Sequence, residues 1–143
     1  MKKILPLFLI ILFCGCVSLT GTYSYIPIGP QNLSQTVADY KKMPVFVKRD
    51  DITRPWASLG LMRVKNLQNN REIISAEIEK LKALAAKKGA DAVIINQYFD
   101  ENAPSKYPIT IAVYLVKYLD QLSEADQQKV QDFAAQAAIE NAK

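Results

Sequence analysis

Apolar residues fall into a few distinct patterns along the chain. Residues 4–13, ILPLFLIILF, are apolar and uncharged throughout, whereas residues 17–42, from VSLTG to ADYKK, show neither a two-residue nor a 3.6-residue period. From Pro44 the pattern becomes regular. PVFVKR alternates Val45 and Val47 with Phe46 and Lys48, and Pro44 stands at the first strand position, where proline is tolerated. DDITRP then reads as a turn, with the Asp pair and Pro55 as breakers. WASLGLMRVKN reads as a second strand, in which Gly60 predicts a bulge or the close approach of another backbone. ADAVIINQYF and YPITIAVYLVKYL are two further strands, the successive Val93, Ile94 and Ile95 predicting burial on both faces. The polar loop DENAPSK between them makes a hairpin the simplest connection.

Two segments carry a helical period. In residues 71–88, Ile74, Ile78, Leu81 and Ala85 make one apolar stripe with Leu84 beside it, while Glu77, Glu79, Lys80 and Lys82 are expected to face away. Asn69 or Asn70 caps its start, Glu72 lies in the first turn, Lys87 and Lys88 in the last, and Gly89 supplies the left-handed residue that ends it. The second helix begins at Ser123, with Asp126 three residues on in a capping-box arrangement, and Val130, Phe133, Ala134, Ala137 and Ala138 form its apolar side. Alanine buries little area, so this helix gains a modest hydrophobic contribution. These elements predict an α+β fold of order β-β-α-β-β-α, a small mainly antiparallel sheet with one main helix packed on it. Residues 43–143 form that single domain, and residues 16–42 form a tether ahead of it.

The first residues assign a location. Lys2 and Lys3 precede the apolar run of about ten residues, the proportions of a secretory signal and too short for a membrane-crossing helix. The run ends in Phe13-Cys14-Gly15-Cys16, which resembles the cleavage motif of bacterial lipoproteins: an apolar residue, two small residues, and the cysteine that takes the lipid. On this reading cleavage falls between Gly15 and Cys16, residues 1–15 leave, and Cys16 becomes the acylated first residue; ordinary secretion is the alternative. A disulfide between Cys14 and Cys16 would be strained, and two thiols are too few for a structural metal site. Several acyl chains on one residue satisfy the two-signal requirement for stable anchoring. Val17 is not the aspartate that often retains such proteins at the inner membrane, so the expected site is the periplasmic side of the outer membrane.

Removing the leader leaves 128 of the 143 residues, and 18 basic residues become 16 against 14 acidic ones, a net of +2. A nucleic-acid-binding surface needs a stronger, one-sided excess, so none is expected. The chain has no histidine, which excludes Ser-His and Cys-His couples and the commonest base near neutral pH. With no mature thiol, zinc and copper sites of the nitrogen-sulfur type lack ligands; no metal and no cofactor is expected. The five glycines form no phosphate-cradling loop. Asp50 with Asp51, and Asp100 with Glu101, are adjacent carboxylates that point apart on extended backbone, so each pair reads as a solvated loop. Asp91, just past the first helix, reads as a turn or capping group. Trp56 reads as a packing anchor, while Tyr107, Tyr114 and Tyr118 are weighed between core positions and an exposed aromatic binding row.

With these elements placed, PVFVKRDDITRPWASLGLMRV followed by a helix ending LKALAAKKGADAVII resembles several small bacterial envelope families over residues 44–98. These are uncharacterised lipoproteins, small proteins described as heavy-metal binders that carry a similar Gly-Ala-Asp-Ala-Val segment, and the sensor lipoprotein of the Rcs envelope-stress phosphorelay. The resemblance implies a fold and transfers no catalytic residue; the chain also lacks the stress sensor's disulfide-forming cysteines. The expected function is that of a non-enzymatic envelope lipoprotein acting through protein contacts, as an assembly factor, sensor or accessory subunit. The alternative is a periplasmic module that binds a small ligand or cell-wall fragment at Trp56, Tyr114 and Tyr118. An envelope protein partner is expected, and open sheet edges favour self-association into a homo-oligomer.

Overall fold

The computed structural model describes residues 21–33 and 39–140, which contain five strands and two α-helices. In chain order these are β1 (Thr22–Pro27), β2 (Val45–Phe46), β3 (Trp56–Leu67), α1 (Arg71–Lys87), β4 (Ala92–Phe99), β5 (Ile109–Tyr118) and α2 (Glu124–Glu140). The class is the α+β fold that the periodicities predict, but the element order is β-β-β-α-β-β-α. The additional strand is β1, which lies in residues expected to be tether. Its backbone pairs antiparallel with β3 from Thr22 opposite Lys65 to Pro27 opposite Gly60. The stretch shows no strand period, and its prolines Pro27 and Pro30 disfavour a place in a central ladder. Pro27, however, is the last residue of an edge strand, where a missing amide donor disturbs no ladder.

The strands lie in the order β1-β3-β5-β4-β2, antiparallel except for the short parallel pair β2 and β4. The hairpin expected between the last two strands is present, β4 pairing with β5 from Ala92 opposite Val116 to Phe99 opposite Ile109. β5 is the central strand, and all its residues but Tyr114 are buried. Val93, Ile94 and Ile95 are buried in succession, as expected for a strand covered on both faces.

One face of the sheet carries the main core. Ile109, Ile111, Val113 and Leu115 of β5, Val93 and Ile95 of β4, and Met62, Val64 and Leu67 of β3 meet Leu81 and Ala85 of α1. Small Ala85, fully buried, lets the helix axis approach the strands closely. Asn70 caps α1, its side-chain oxygen accepting from the amides of Glu72 and Ile73 at 2.8 and 3.2 Å. Gly89 ends it at φ 83°, a conformation that costs glycine nothing. The expectation that Glu77 and Lys82 face away from the core is corrected: both are buried, at 4% and 7% exposure. Glu77 accepts from the Tyr23 hydroxyl of β1 and from Lys80, and Lys82 pairs with Glu79 at 3.0 Å. Leu84, placed beside the apolar stripe, is instead exposed.

The bulge expected at Gly60 is present as a register shift between Ser58 and Gly60. The close neighbour there is the Tyr25 ring rather than a backbone: a Cβ on Gly60 would stand 2.5 Å from it. α2 starts as expected, with the Asp126 amide donating to Ser123 Oγ at 3.2 Å. Beyond Val130, which packs against the core, most of this helix is solvent-exposed.

Candidate functional site

Cys16 and Gly15, the residues assigned to lipidation and cleavage, lie outside the described residues. Trp56, Tyr114 and Tyr118 are brought together. β3 and β5 place all three on the face of the sheet opposite α1, Trp56 directly across from Tyr118, and Tyr114 across from Leu61 on β3 and Ile94 on β4. With Phe46, Ile52, Ala92, Ile94 and Val116 they form a second, smaller apolar cluster. Tyr118 is buried, while Trp56 and Tyr114 are half-buried.

The connection between β2 and β3 folds over this cluster. It carries Arg54 onto the Tyr118 ring, 4.1 Å from the centroid, and Arg49 to 5.2 Å from that of Tyr114. Arg54 is held by Asp120, which accepts from its Nε at 3.0 Å and from its Nη2 at 2.7 Å. Such cation–π contacts favour an arginine because its planar, weakly hydrated guanidinium stacks at low desolvation cost. Burial pushes the Tyr118 hydroxyl above the ordinary tyrosine range; Arg54 opposes the rise, and Asp91 and Asp120 add to it. The aromatic residues thus pack with one another beneath two arginines.

Below Tyr118 lies a buried ion pair that sequence reasoning missed. Lys117 Nζ donates to Asp91 Oδ1 at 3.0 Å, and the other carboxylate oxygen accepts from the Tyr118 amide at 2.9 Å. Lys117 is 1% exposed, and it is the one charged residue of β5. That was the available signal, since a lone charge in a fully buried strand requires a partner. Asp91 is therefore more than the expected turn group: it ties the end of α1 to the end of β5. Asp91 and Tyr118 also border a cavity of about 340 Å³ with Asp39, Lys42, Met43 and Gln121.

The other carboxylate candidates do not converge. Asp50 and Asp51 are exposed in a single 3-10 turn, and Asp100 accepts from the Asn102 amide at 3.1 Å as a turn residue. Among the described residues, no group of three or more His, Cys, Asp or Glu side chains is placed to hold a metal ion. None of their helices is long and apolar enough to cross a membrane.

The β1 edge carries a second cluster. Tyr25 lies beneath Lys88, whose Nζ is 3.8 Å from the ring centroid, and donates its hydroxyl to Gln31 Oε1 at 2.6 Å. Gln31 in turn donates to the carbonyls of Gly29 and Leu59, at 2.6 and 2.9 Å. Burial pushes the Tyr25 hydroxyl above the ordinary range, and the Gln31 bond opposes it. Tyr23, Tyr25, Met62, Leu84 and Lys88 line a shallow, largely apolar groove of about 280 Å³ along this edge.

No known protein family matches the chain, and no curated protein matches it. Among solved structures it is similar to a Francisella virulence factor, FvfA, in an orthorhombic crystal form, at 17% sequence identity and a TM-score of 0.48, the match covering 66% of this chain and 95% of that one.

Proposed function

We propose that this chain is a non-enzymatic bacterial envelope lipoprotein, anchored through Cys16 on the periplasmic side of the outer membrane and acting through protein contacts. The observation that carries this reading is the sequence from Lys2 to Cys16: two positive charges, an uninterrupted apolar run and Phe-Cys-Gly-Cys in succession. The resemblance of residues 44–98 to small envelope lipoproteins points the same way. Two features of the fold support a role in contacts. α2 leaves Phe133 and Ile139 exposed, at 38% and 62%. Arg49 and Arg54, stacked on Tyr114 and Tyr118, combine the residue types that anchor protein interfaces.

Two measurements test the proposal. The mass of the mature protein isolated from its own membranes is expected to begin at Cys16 with added acyl chains; an N-terminus that keeps residues 1–15, or starts with a free thiol, overturns the anchoring. Crosslinking in intact envelopes followed by capture of the protein is expected to return a specific envelope protein, lost on replacing Arg49 and Arg54 together or Phe133 alone. Recovery of the chain without any protein partner overturns the contact role.

A further inference from the structure

We propose that the β1 edge of the sheet is a lipid-docking surface, by which the domain lies against an anionic membrane instead of standing away from it. The inference rests on the anchoring reading above and adds an orientation to it. Cys16 is five residues ahead of Gly21, and five residues of fully extended chain reach about 17 Å. β1 begins at the next residue, Thr22. A lipid on Cys16 therefore holds the Gly21 end of this edge, together with the Lys65–Leu67 end of β3 beside it, within that span of the bilayer.

The composition of the edge suits that position. β1, TYSYIP, has no charge, and the segment around it exposes Tyr23 at 40%, Ile26 at 47% and Ile28 at 40%. Tyrosine and isoleucine side chains partition favourably into the zone between headgroups and acyl chains. The charges that the two strands themselves carry have one sign. β1 and β3 together contain no acidic residue, and β3 places Arg63 and Lys65 beside Ser24 and Thr22 on one face of the edge. Lys88 stands over Tyr25 on the other face. Glu77, the acidic group that reaches β1, is buried and occupied by Tyr23 and Lys80. The groove between Tyr23, Tyr25, Met62 and Leu84, with Lys88 at its margin, offers an apolar floor for part of an acyl chain and an ammonium for its phosphate. The outward backbone groups of β1 meet water and polar headgroups in this zone, so the edge needs no partner strand there.

The test uses the acylated full-length product in vesicles, with a single cysteine introduced by Ile26→Cys or, as the control on the opposite sheet edge, Val47→Cys, each carrying an environment-sensitive label. Val47 is 69% exposed. In phosphatidylglycerol-containing vesicles the Ile26 position is expected to be shielded from an aqueous quencher and the Val47 position open. In pure phosphatidylcholine the Ile26 shielding is expected to fall, and Lys65→Gln and Lys88→Gln are each expected to lower it about fivefold in phosphatidylglycerol, the weight of one basic side chain near an anionic surface. Equal quenching of the two positions in an acylated, vesicle-bound protein overturns the docking alone. Shielding of Ile26 that is the same in both vesicle types and persists in detergent, with label-to-label coupling between molecules, overturns it in favour of β1 pairing with a second copy. An N-terminus without acyl chains overturns the anchoring and this orientation together.

Discussion

Lys117 and Asp91 show how much a single buried pair can decide. Replacing one member leaves the other charge in a low-dielectric interior, which costs more than the pair itself contributes. Lys117→Met, close in volume, is expected to lower stability by about 3–5 kcal/mol in urea unfolding, because the Asp91 carboxylate keeps only the Tyr118 amide as a visible donor. Tyr118 and Tyr25 give a prediction in pH. Both hydroxyls are raised above the ordinary tyrosine value of 10.0 by burial, so the unfolded chain loses these protons first as pH climbs. Their contribution is intact below pH 10 and is lost as pH passes upward through the folded values. Denaturation midpoints are therefore expected to fall on the alkaline side of pH 10, and Tyr118→Phe to flatten part of that fall. At this scale the sequence was legible where a residue acts through type alone: Trp56 as a packing residue, Gly60 at a bulge, Gly89 as a helix terminator. It was not legible where the partner is distant, since nothing local to Asp91 announces a lysine 26 positions away.

α1 and α2 have the same length, 17 residues each, and opposite dependence on the rest of the molecule. α1 has caps at both ends and a stripe sealed against three strands. Asn70→Ala is expected to cost about 1 kcal/mol, measured as a shift in urea midpoint, because two helix-end amides lose their acceptor. Leu81 is fully buried, so Leu81→Ala is expected to cost about 2–5 kcal/mol. Phe133→Ala in α2 removes a larger side chain for less than about 1 kcal/mol, since much of that ring already meets solvent. Amide hydrogen exchange should rank the helices likewise, α2 exchanging before α1. The two helices, with the strands from Trp56 to Tyr118, were readable from periodicity because each satisfies its own pattern. Glu77 was misread because a helical wheel assigns faces to one partner surface. β1 adds a second, and Tyr23 reaches over to Glu77 from it.

For the whole molecule, the strand order matters more than the element list. The central strands β3, β5 and β4 and the helix α1 come from one continuous stretch, residues 56–118, while both edge strands come from the chain before it. Periodicity found the continuous part and missed β1, because an edge strand may carry prolines, expose both flanks and show no buried face. The candidate site followed the same division. The parity of Tyr114 and Tyr118 was enough to bring them to one face with Trp56, but the arginines that cover them depend on where a short connection folds.

The same arrangement decides how the domain bears mechanical load. A pull on the chain ahead of Gly21 is delivered first to the six residues of β1, and passes from them to β3 through the backbone pairing and to α1 through Tyr23 on Glu77 and Tyr25 under Lys88. Tension at the amino end therefore bears on the core itself, because detaching β1 would uncover the buried Glu77 carboxylate and the core surface beneath Tyr25.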